Sequence, residues 1–462
     1  MTTRPLHIVV LAAGKGSRMN SDLPKVLHQI AGQSLLTHVL KSAFSLGPDC
    51  IHVVVGHQKQ QVIDAFENHP EKQRLNWVEQ SEQLGTGHAV STAMPSIPDA
   101  ADVLMLTADV PLIQAHTLRA MVSAMAHAPL ALLTAEVRNP FGLGRITRDP
   151  SGNITGIVEQ KDATESQRAI REINSGILCA RGADLNRWLQ QIRNENAQQE
   201  YYLTDIVALA HDEGAPVFGT QPDSEAEIMG INTRVQLAEV ERLFQQSITE
   251  SLMLSGVTMR DPARVDIRGD VTIGSDTELD INVVIEGPTH IGRNVKIGPN
   301  CVIKASRLAD NVTIHANTVI EEAELYSGVN AGPFARLRPG TVLHDNVRIG
   351  NFVETKNAQL STGAKVNHLS YVGDALIGSD TNIGAGVITC NYDGANKHQT
   401  VIGNNVFVGS DCQLVAPVTI GDKATIGAGS TITTDVESGM LAISRGRQRQ
   451  ISGWQRPSKD KK

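Results

Sequence analysis

Branched apolar residues recur every six positions near the end of the chain: Ile402, Val408, Leu414, Ile420, Ile426 and Ile432, with Gly403, Gly409, Gly421 and Gly427 directly after four of them. The same beat runs through Ile267, Ile273, Leu279, Ile285, Ile291, Ile297 and Ile303. A period of six suits neither a lone helix, which repeats at 3.6, nor a lone strand, which repeats at 2. It suits a solenoid whose coil has three short flat faces, each sending one side chain to the axis. From Val265 to Ile432 the pattern predicts about nine coils of roughly eighteen residues, a prism on the order of 45 Å long at strand spacing. The beat slips by a residue near Leu308 and again near Ile377. Its largest interruption is Cys390–Thr400, which a coil must extrude as a loop. Such loops commonly bear function.

Ahead of the beat, residues 5–230 alternate strand and helix patterns. Strands are predicted at His7–Ala12, Ile51–Gly56, Asn76–Glu79, Val103–Thr107 and Leu130–Val137. Helices are predicted from Ser34 to Leu46, stopped by Gly47, and from Pro111 to Ala128. This alternation predicts an α/β domain, Rossmann-like with a mainly parallel sheet, whose ligands bind at the carboxyl ends of the strands. Leu237, Val240, Phe244, Ile248 and Leu252 form the apolar stripe of one longer helix over 233–254, roughly 33 Å at 1.5 Å per residue. The expected organisation is a nucleotide-binding domain over 1–232, a helical arm over 233–255, a left-handed parallel β-helix of hexapeptide repeats over 256–444, and a basic tail over 445–462.

Charge separates that tail from the rest. It sums to +6 against −8 for the whole chain, which leaves −14 on the remainder. A body that acidic is not expected to bind nucleic acid. The five cysteines, Cys50, Cys179, Cys301, Cys390 and Cys412, are scattered without CxxC spacing, which argues against a disulfide framework or a zinc cluster and fits a reducing cytoplasm. No apolar run approaches the ~20 residues of a membrane span, and the amino terminus does not read as a signal peptide.

The first strand runs into Leu11-Ala12-Ala13-Gly14-Lys15-Gly16-Ser17-Arg18, with Pro24-Lys25 after it. Glycines following a strand expose backbone N–H groups to phosphate oxygens. The run is neither a P-loop nor the dinucleotide fingerprint, whose third glycine would fall at Met19. Arg18 and Lys25 flank the loop as two cations, which suits a triphosphate whose pyrophosphate must depart. Asp109 ends the apolar run Val103–Thr107 and can hold Mg²⁺ shared with phosphates; capping of the following helix is its alternative role. Transfer from such a triphosphate to an acceptor that already carries an anionic phosphate oxygen needs no protein nucleophile, because that oxygen itself attacks. Alignment and charge neutralisation are then the catalysis.

The Gly loop resembles the sugar-phosphate nucleotidylyltransferase signature. Together with Gln80…Gly85-Thr86-Gly87-His88, Gly142-Leu143-Gly144-Arg145-Ile146, the hexapeptides and the Asn391-Tyr392-Asp393-Gly394 insertion, it is similar to the bacterial bifunctional N-acetylglucosamine-1-phosphate uridyltransferase/glucosamine-1-phosphate N-acetyltransferase family, over about residues 6–456. The resemblance implies that Leu11, Ala12, Ala13, Gly14, Lys25, Gln80, Gly85, Thr86 and Thr107 contact UTP or UDP-N-acetylglucosamine. It implies that Gly144, Glu159 and Asn174 hold the sugar, and that Asp109 and Asn232 bind Mg²⁺; capping of the arm helix is the alternative role of Asn232. Where the family commonly has Tyr-Gly before the metal aspartate, this chain has Thr107-Ala108, and Leu143 replaces the family's aromatic.

In the solenoid, acetylating an amine with a thioester needs a base that titrates near working pH, which a histidine provides. His368, within Asn367-His368-Leu369-Ser370-Tyr371, matches the family's base. The resemblance further implies that Arg338 and Lys356 bind the substrate phosphate and Tyr371 and Asn382 its sugar. It assigns Ala385, Asn391, Tyr392, Ser410, Ala428 and Arg445 to acetyl-CoA, and implies a homotrimer with its acetyltransferase sites between subunits. The expected product, UDP-N-acetylglucosamine, feeds cell-envelope synthesis (peptidoglycan and lipopolysaccharide). The alternative is a nucleotidylyltransferase with one activity and a merely trimerising or regulatory solenoid.

Overall fold

Apolar runs bounded by turn residues bury both faces of a sheet, and five such strands, flanked by two more exposed edge strands, form the frame of the first unit. The structure, a computed structural model, describes residues 4–457; the tail charges Lys459, Asp460, Lys461 and Lys462 lie outside the described residues. The chain divides into two units, Met1–Phe244 and Gln245–Lys462. In the first, the strands are β1 (Leu6–Leu11), β2 (Cys50–Val55), β3 (Leu75–Glu79), β4 (Asp102–Thr107), β5 (Leu130–Glu136), a hairpin of β6 (Arg145–Arg148) and β7 (Ile154–Val158), β8 (Glu172–Arg181) and β9 (Val217–Thr220). Their order is β9-β5-β8-β4-β1-β2-β3, with the hairpin attached to β8. The chain runs from β1 outward to β3, then returns to pair β4 on the other side of β1. The carboxyl ends of β1 and β4 are therefore the switch point where such sheets bind ligands.

The five predicted strands appear within a residue or two of their expected bounds. Ser34 caps the helix Leu35–Phe44 by accepting from Thr37 N–H, and Gly47 leaves it with φ 68°. The helix predicted from Pro111 to Ala128 is shorter, Ala115–Ala124. Its start is set from afar: the Glu227 carboxylate accepts from Gln114 N–H at 3.3 Å and from the Thr117 hydroxyl at 2.6 Å. The sheet also contains four strands missed in the sequence, β6, β7, β8 and β9. β8 runs antiparallel to both β4 and β5, and a bulge between Asn174 and Leu178 breaks its alternation.

A buried histidine pair ties β1 to β2. Asn76 Nδ2 donates to His52 Nδ1 at 2.9 Å, so His52 carries its proton on Nε2, which lies 2.9 Å from His7 Nδ1. Burial, then the neighbouring His7, lowers the His52 pKa from 6.5 to about 4. The folded state thus binds fewer protons than the unfolded chain between those values. The resulting stability is complete above pH 6.5 and is lost as pH falls through 4, about 3 kcal/mol in all. Urea unfolding followed by tryptophan fluorescence is expected to show that loss between pH 7 and 4.5, and His52→Gln to flatten it.

The second unit is the left-handed parallel β-helix. One face carries eleven parallel strands, from Thr258–Met259 to Leu441–Ala442, and a seventeen-stranded sheet wraps the other two faces. The beat residues fill the axis: Leu279, Ile285, Ile291, Ile297 and Ile303 are all buried. The slip expected near Leu308 and Ile377 occurs there and also at Leu325 and Leu360. Each time the buried position arrives after five residues instead of six, so that His290 pairs with Arg307 where Val284 pairs with Val302. These shortened corners turn on single left-handed residues, Ala305, Glu322, Asn357 and Asp374, at φ 44–47°. The Cys390–Thr400 insertion leaves the coil as a small self-bonded loop. Asp393 Oδ1 accepts from Ala395 and Asn396 N–H at 2.8 and 2.6 Å, and Asp393 Oδ2 lies 2.7 Å from His398 Nε2.

Candidate active sites

At the end of β1, Ala12 N–H still bonds Val54 O, and the chain then loops through Gly14 and Gly16. Gly16 is needed here: it has φ 60°, and a Cβ would lie 2.7 Å from Lys25 Cβ. That approach sets Lys25 against two groups from distant parts of the chain. Its Nζ is 2.5 Å from Asp109 Oδ2, just beyond β4, and 2.7 Å from Asn232 Oδ1, just before the helix Arg234–Leu254. Arg18 reaches the same Asn232 oxygen at 2.9 Å. Asp109 and Asn232 therefore turn oxygen lone pairs toward one cationic point. Two hard oxygen donors so arranged fit a divalent ion such as Mg²⁺, which keeps most of its shell for water and phosphate.

A cavity of 480 Å³ opens beside this cluster. Leu11, Ala12, Ala13, Gly14, Lys25, Gln80, Gly85, Thr86, Thr107 and Asp109, all named from the sequence, line it. So do Gln83 and Glu200, which were not, and Lys15, which was quoted in the loop without a role. Gln83 Nε2 donates to Ala13 O at 2.6 Å and braces the loop. Within its lining, Lys25 is paired with Asp109, and Glu200 Cβ packs beside Gly85. The Thr107 hydroxyl is buried without a hydrogen-bond partner among the described residues.

Gly144, Glu159 and Asn174 come together nearby. Asn174 N–H bonds Gly144 O at 2.9 Å, and a Cβ on Gly144 would stand 3.3 Å from the Glu159 carboxylate. Burial raises the Glu159 pKa, against a 3.3 Å hydrogen bond from Thr204. Asp205 is pushed up to about 6 by burial and by Asp162. Arg145, itself buried, fixes the preceding loop: it donates to Leu143 O and to Gln160 Oε1, and the latter also accepts from Gly142 N–H.

In the solenoid the candidates form a column. Leu369 N–H bonds Asn351 O, Gly386 bonds His368 O, Asp411 bonds Ala385 O, and Gly429 bonds Ser410 O. Asn351, His368, Ala385, Ser410 and Ala428 thus stand one above the next at the same register. Arg445 closes the column, donating to Ala428 O at 2.6 Å. His368 is exposed, and its Nδ1 is 3.1 Å from Asn351 Oδ1. Asn382 lies on the same face as His368, in register with Lys365.

The cations sit on the adjoining face. Arg338 pairs with Glu354 at 2.7 Å, and Lys356 is in register with Gly373. The Lys397 ammonium, from the insertion, lowers the Lys356 pKa; burial and Arg338 add to this and Asp374 opposes it. The Tyr371 phenol lies across Gly373, where any Cβ would come within 2.4 Å of its oxygen. Asn391 is buried and donates to Asp374, whose other oxygen accepts from Asn357 at 2.6 Å. Tyr392 is exposed, with its hydroxyl on Gly394 O. Lys397, Asn351 and Asp374 went unnoticed in the sequence. Only the position of Lys397 inside the interrupting loop could have drawn attention to it.

Comparison with known proteins agrees with both halves. A MobA-like NTP transferase domain matches residues 8–172, and the bacterial transferase hexapeptide (six repeats) matches 270–305 and 399–434. A Marinobacter nauticus protein described as "Bifunctional protein GlmU" is 54% identical over 455 residues, covering 98% of this chain and 99% of its own. A solved UDP-glucose pyrophosphorylase complexed with UDP-glucose covers 53% of this chain and 99% of its own at 15% identity and a TM-score of 0.43, too weak a likeness to bear on activity.

Proposed function

The chain belongs to the family of bifunctional N-acetylglucosamine-1-phosphate uridyltransferases/glucosamine-1-phosphate N-acetyltransferases, and from that premise we propose how its residues carry the two reactions. The enzyme acetylates glucosamine 1-phosphate with acetyl-CoA, then transfers the uridylyl group of UTP to the product, giving UDP-N-acetylglucosamine and pyrophosphate. The observation that carries the two-site reading is that each unit holds its own convergence of polar groups: Lys25 with Asp109 and Asn232 in one, the His368 column in the other.

In uridylyl transfer, an oxygen of the sugar phosphate attacks the α-phosphorus and pyrophosphate departs. Arg18 and Lys25, which meet at the Asn232 oxygen beside the 480 Å³ cavity, neutralise the phosphates. Asp109 and Asn232 hold Mg²⁺, which when bound adds further neutralising charge. The nucleobase occupies the Gln80–Gly85 end, from which Glu200 repels phosphate. Gly144, Glu159 and Asn174 hold the sugar.

In acetyl transfer, the amine nitrogen forms a bond to the thioester carbon, His368 Nε2 takes the amine proton, and the thiolate of CoA leaves. The Asn351 oxygen supports this role, because accepting from His368 Nδ1–H leaves Nε2 with its lone pair. Arg338 and Lys356, joined by Lys397, bind the phosphate; Tyr371 and Asn382 bind the sugar. Asn391, Tyr392 and the small residues Ala385, Ser410 and Ala428 line the donor's path to Arg445. Because Tyr371 needs the space over Gly373, Gly373→Ala is expected to weaken acetyl transfer about tenfold, chiefly through the KM for glucosamine 1-phosphate, with uridylyl transfer unchanged.

We place the enzyme in the cytoplasm as a homotrimer. All five thiols are free, and no helix among the described residues is long and apolar enough to cross a membrane. For the trimer, the support is a corner beside His368 where Phe334, Phe352 and Leu369 are exposed in left-handed conformations, the two phenyl rings stacked at 5.3 Å. Bulky residues rarely adopt that conformation unless something holds them there. The test of function is a pair of assays on the full chain: CoA release from acetyl-CoA with glucosamine 1-phosphate, and pyrophosphate release from UTP with N-acetylglucosamine 1-phosphate. Both are expected. Pyrophosphate release alone would leave the solenoid a structural module.

A further inference from the structure

We propose that His88 sets which pyrimidine the first site accepts, by fixing the direction of the Gln80 amide; the proposal rests on the nucleotide reading of the 480 Å³ cavity. Gln80 is buried, at 4% exposure, so its amide is not free to turn into water. One end of that amide lies 3.1 Å from Gly85 O. A backbone carbonyl can only accept, so this end is the nitrogen. The same nitrogen is 3.0 Å from His88 Nδ1, which must then accept as a neutral imidazole protonated on Nε2. Both amide hydrogens are committed, and Oε1 is the atom Gln80 has left to offer a ligand.

That oxygen belongs to the base subsite for an electrostatic reason. Phosphates go to Lys25, which pairs with Asp109, while Glu200, whose Cβ packs beside Gly85, carries its negative charge on the side of the cavity where Gln80 bonds Gly85 O. Uracil presents a ring imide N–H to an acceptor. Cytosine presents a lone pair at the same ring position, which would face Oε1 and repel it. A site built around a hydrogen bond rejects an analogue that cannot make it far better than an apolar wall does. His88 touches no phosphate or sugar in this scheme; it is a positioning residue acting through Gln80. Without it one amide hydrogen loses its partner, and turning the amide to present N–H to cytosine becomes less costly.

The experiment measures kcat/KM for UTP and for CTP with N-acetylglucosamine 1-phosphate, in the full chain and in His88→Leu and His88→Asn. Asparagine keeps an acceptor where Nδ1 stood; leucine does not. The UTP-to-CTP ratio is expected to fall about tenfold in His88→Leu and to stay within about twofold of the parent in His88→Asn. An unchanged ratio in His88→Leu overturns the proposal, and so does an equal fall in both variants, since the acceptor would then not matter. Equal use of CTP and UTP by the parent chain overturns it too, while leaving the reaction class standing. No pyrophosphate from any nucleotide would instead overturn the nucleotide reading beneath it. Should His88→Leu lose activity with both nucleotides, His88→Met, which likewise offers no strong acceptor, is read in its place.

Discussion

Replacing His368 by alanine is expected to lower acetyl transfer by about 10²–10⁴-fold, the usual worth of a general base, and to leave uridylyl transfer intact. The amine of glucosamine 1-phosphate must shed a proton as it bonds to the thioester carbon. His368 is the one histidine in the column, and its Nδ1 contact with Asn351 directs Nε2 outward. The side chain is exposed and is not among the buried residues of the axis, so its removal is expected to leave the coil core unchanged. CoA thiol release at saturating substrates is the measurement, with pyrophosphate release in the same preparation as the control. Acetyl transfer within a few-fold of the parent would mean that another group takes the proton.

The second large effect is on the other reaction. Asp109→Asn is expected to reduce uridylyl transfer by about 10²–10³-fold and to spare acetyl transfer. Asp109 contributes the negative charge in the Lys25–Asp109–Asn232 cluster, since Asn232 is neutral. The amide preserves the size of the side chain and removes that charge, so a divalent ion loses its anionic ligand and Lys25 its ion pair. A magnesium titration of pyrophosphate release separates the two: a raised metal requirement points to the ligand role. An unaltered magnesium dependence with reduced rate would assign Asp109 to orienting Lys25 alone.

The solenoid was legible because its period is local: six residues of sequence write one buried position. Two of the four shortened corners, at Leu325 and Leu360, escaped notice; like the other two they turn on a single left-handed residue, here Glu322 or Asn357, with no glycine or proline to mark it. β8 was hidden by its own bulge around Gly176, and the start of the helix Ala115–Ala124 by a cap from Glu227, more than a hundred residues away. The sites divide the same way. Gly14, Lys25, Gln80 and Asp109 lie in local motifs. That Lys25 joins Asp109 to Asn232 is a contact over 84 and 207 residues that no spacing announces. Nor does anything in the sequence mark Gly373 as the seat of Tyr371.

The His368 column has a consequence for the choice of acyl donor. Its members are separated by whole coils, about 4.8 Å each, so distances from the base to Ser410 and Ala428 come only in integral steps. A donor with a longer or shorter arm cannot be matched by substitutions along that line. It would require a whole coil to be gained or lost between His368 and Arg445. A coil duplicated before Asn351 would leave the ruler unaltered, whereas one inserted after His368 would put the base out of reach of its thioester. With acetyl-CoA placed along the column as proposed, length selectivity is a count of repeats, inherited or changed in units of a coil.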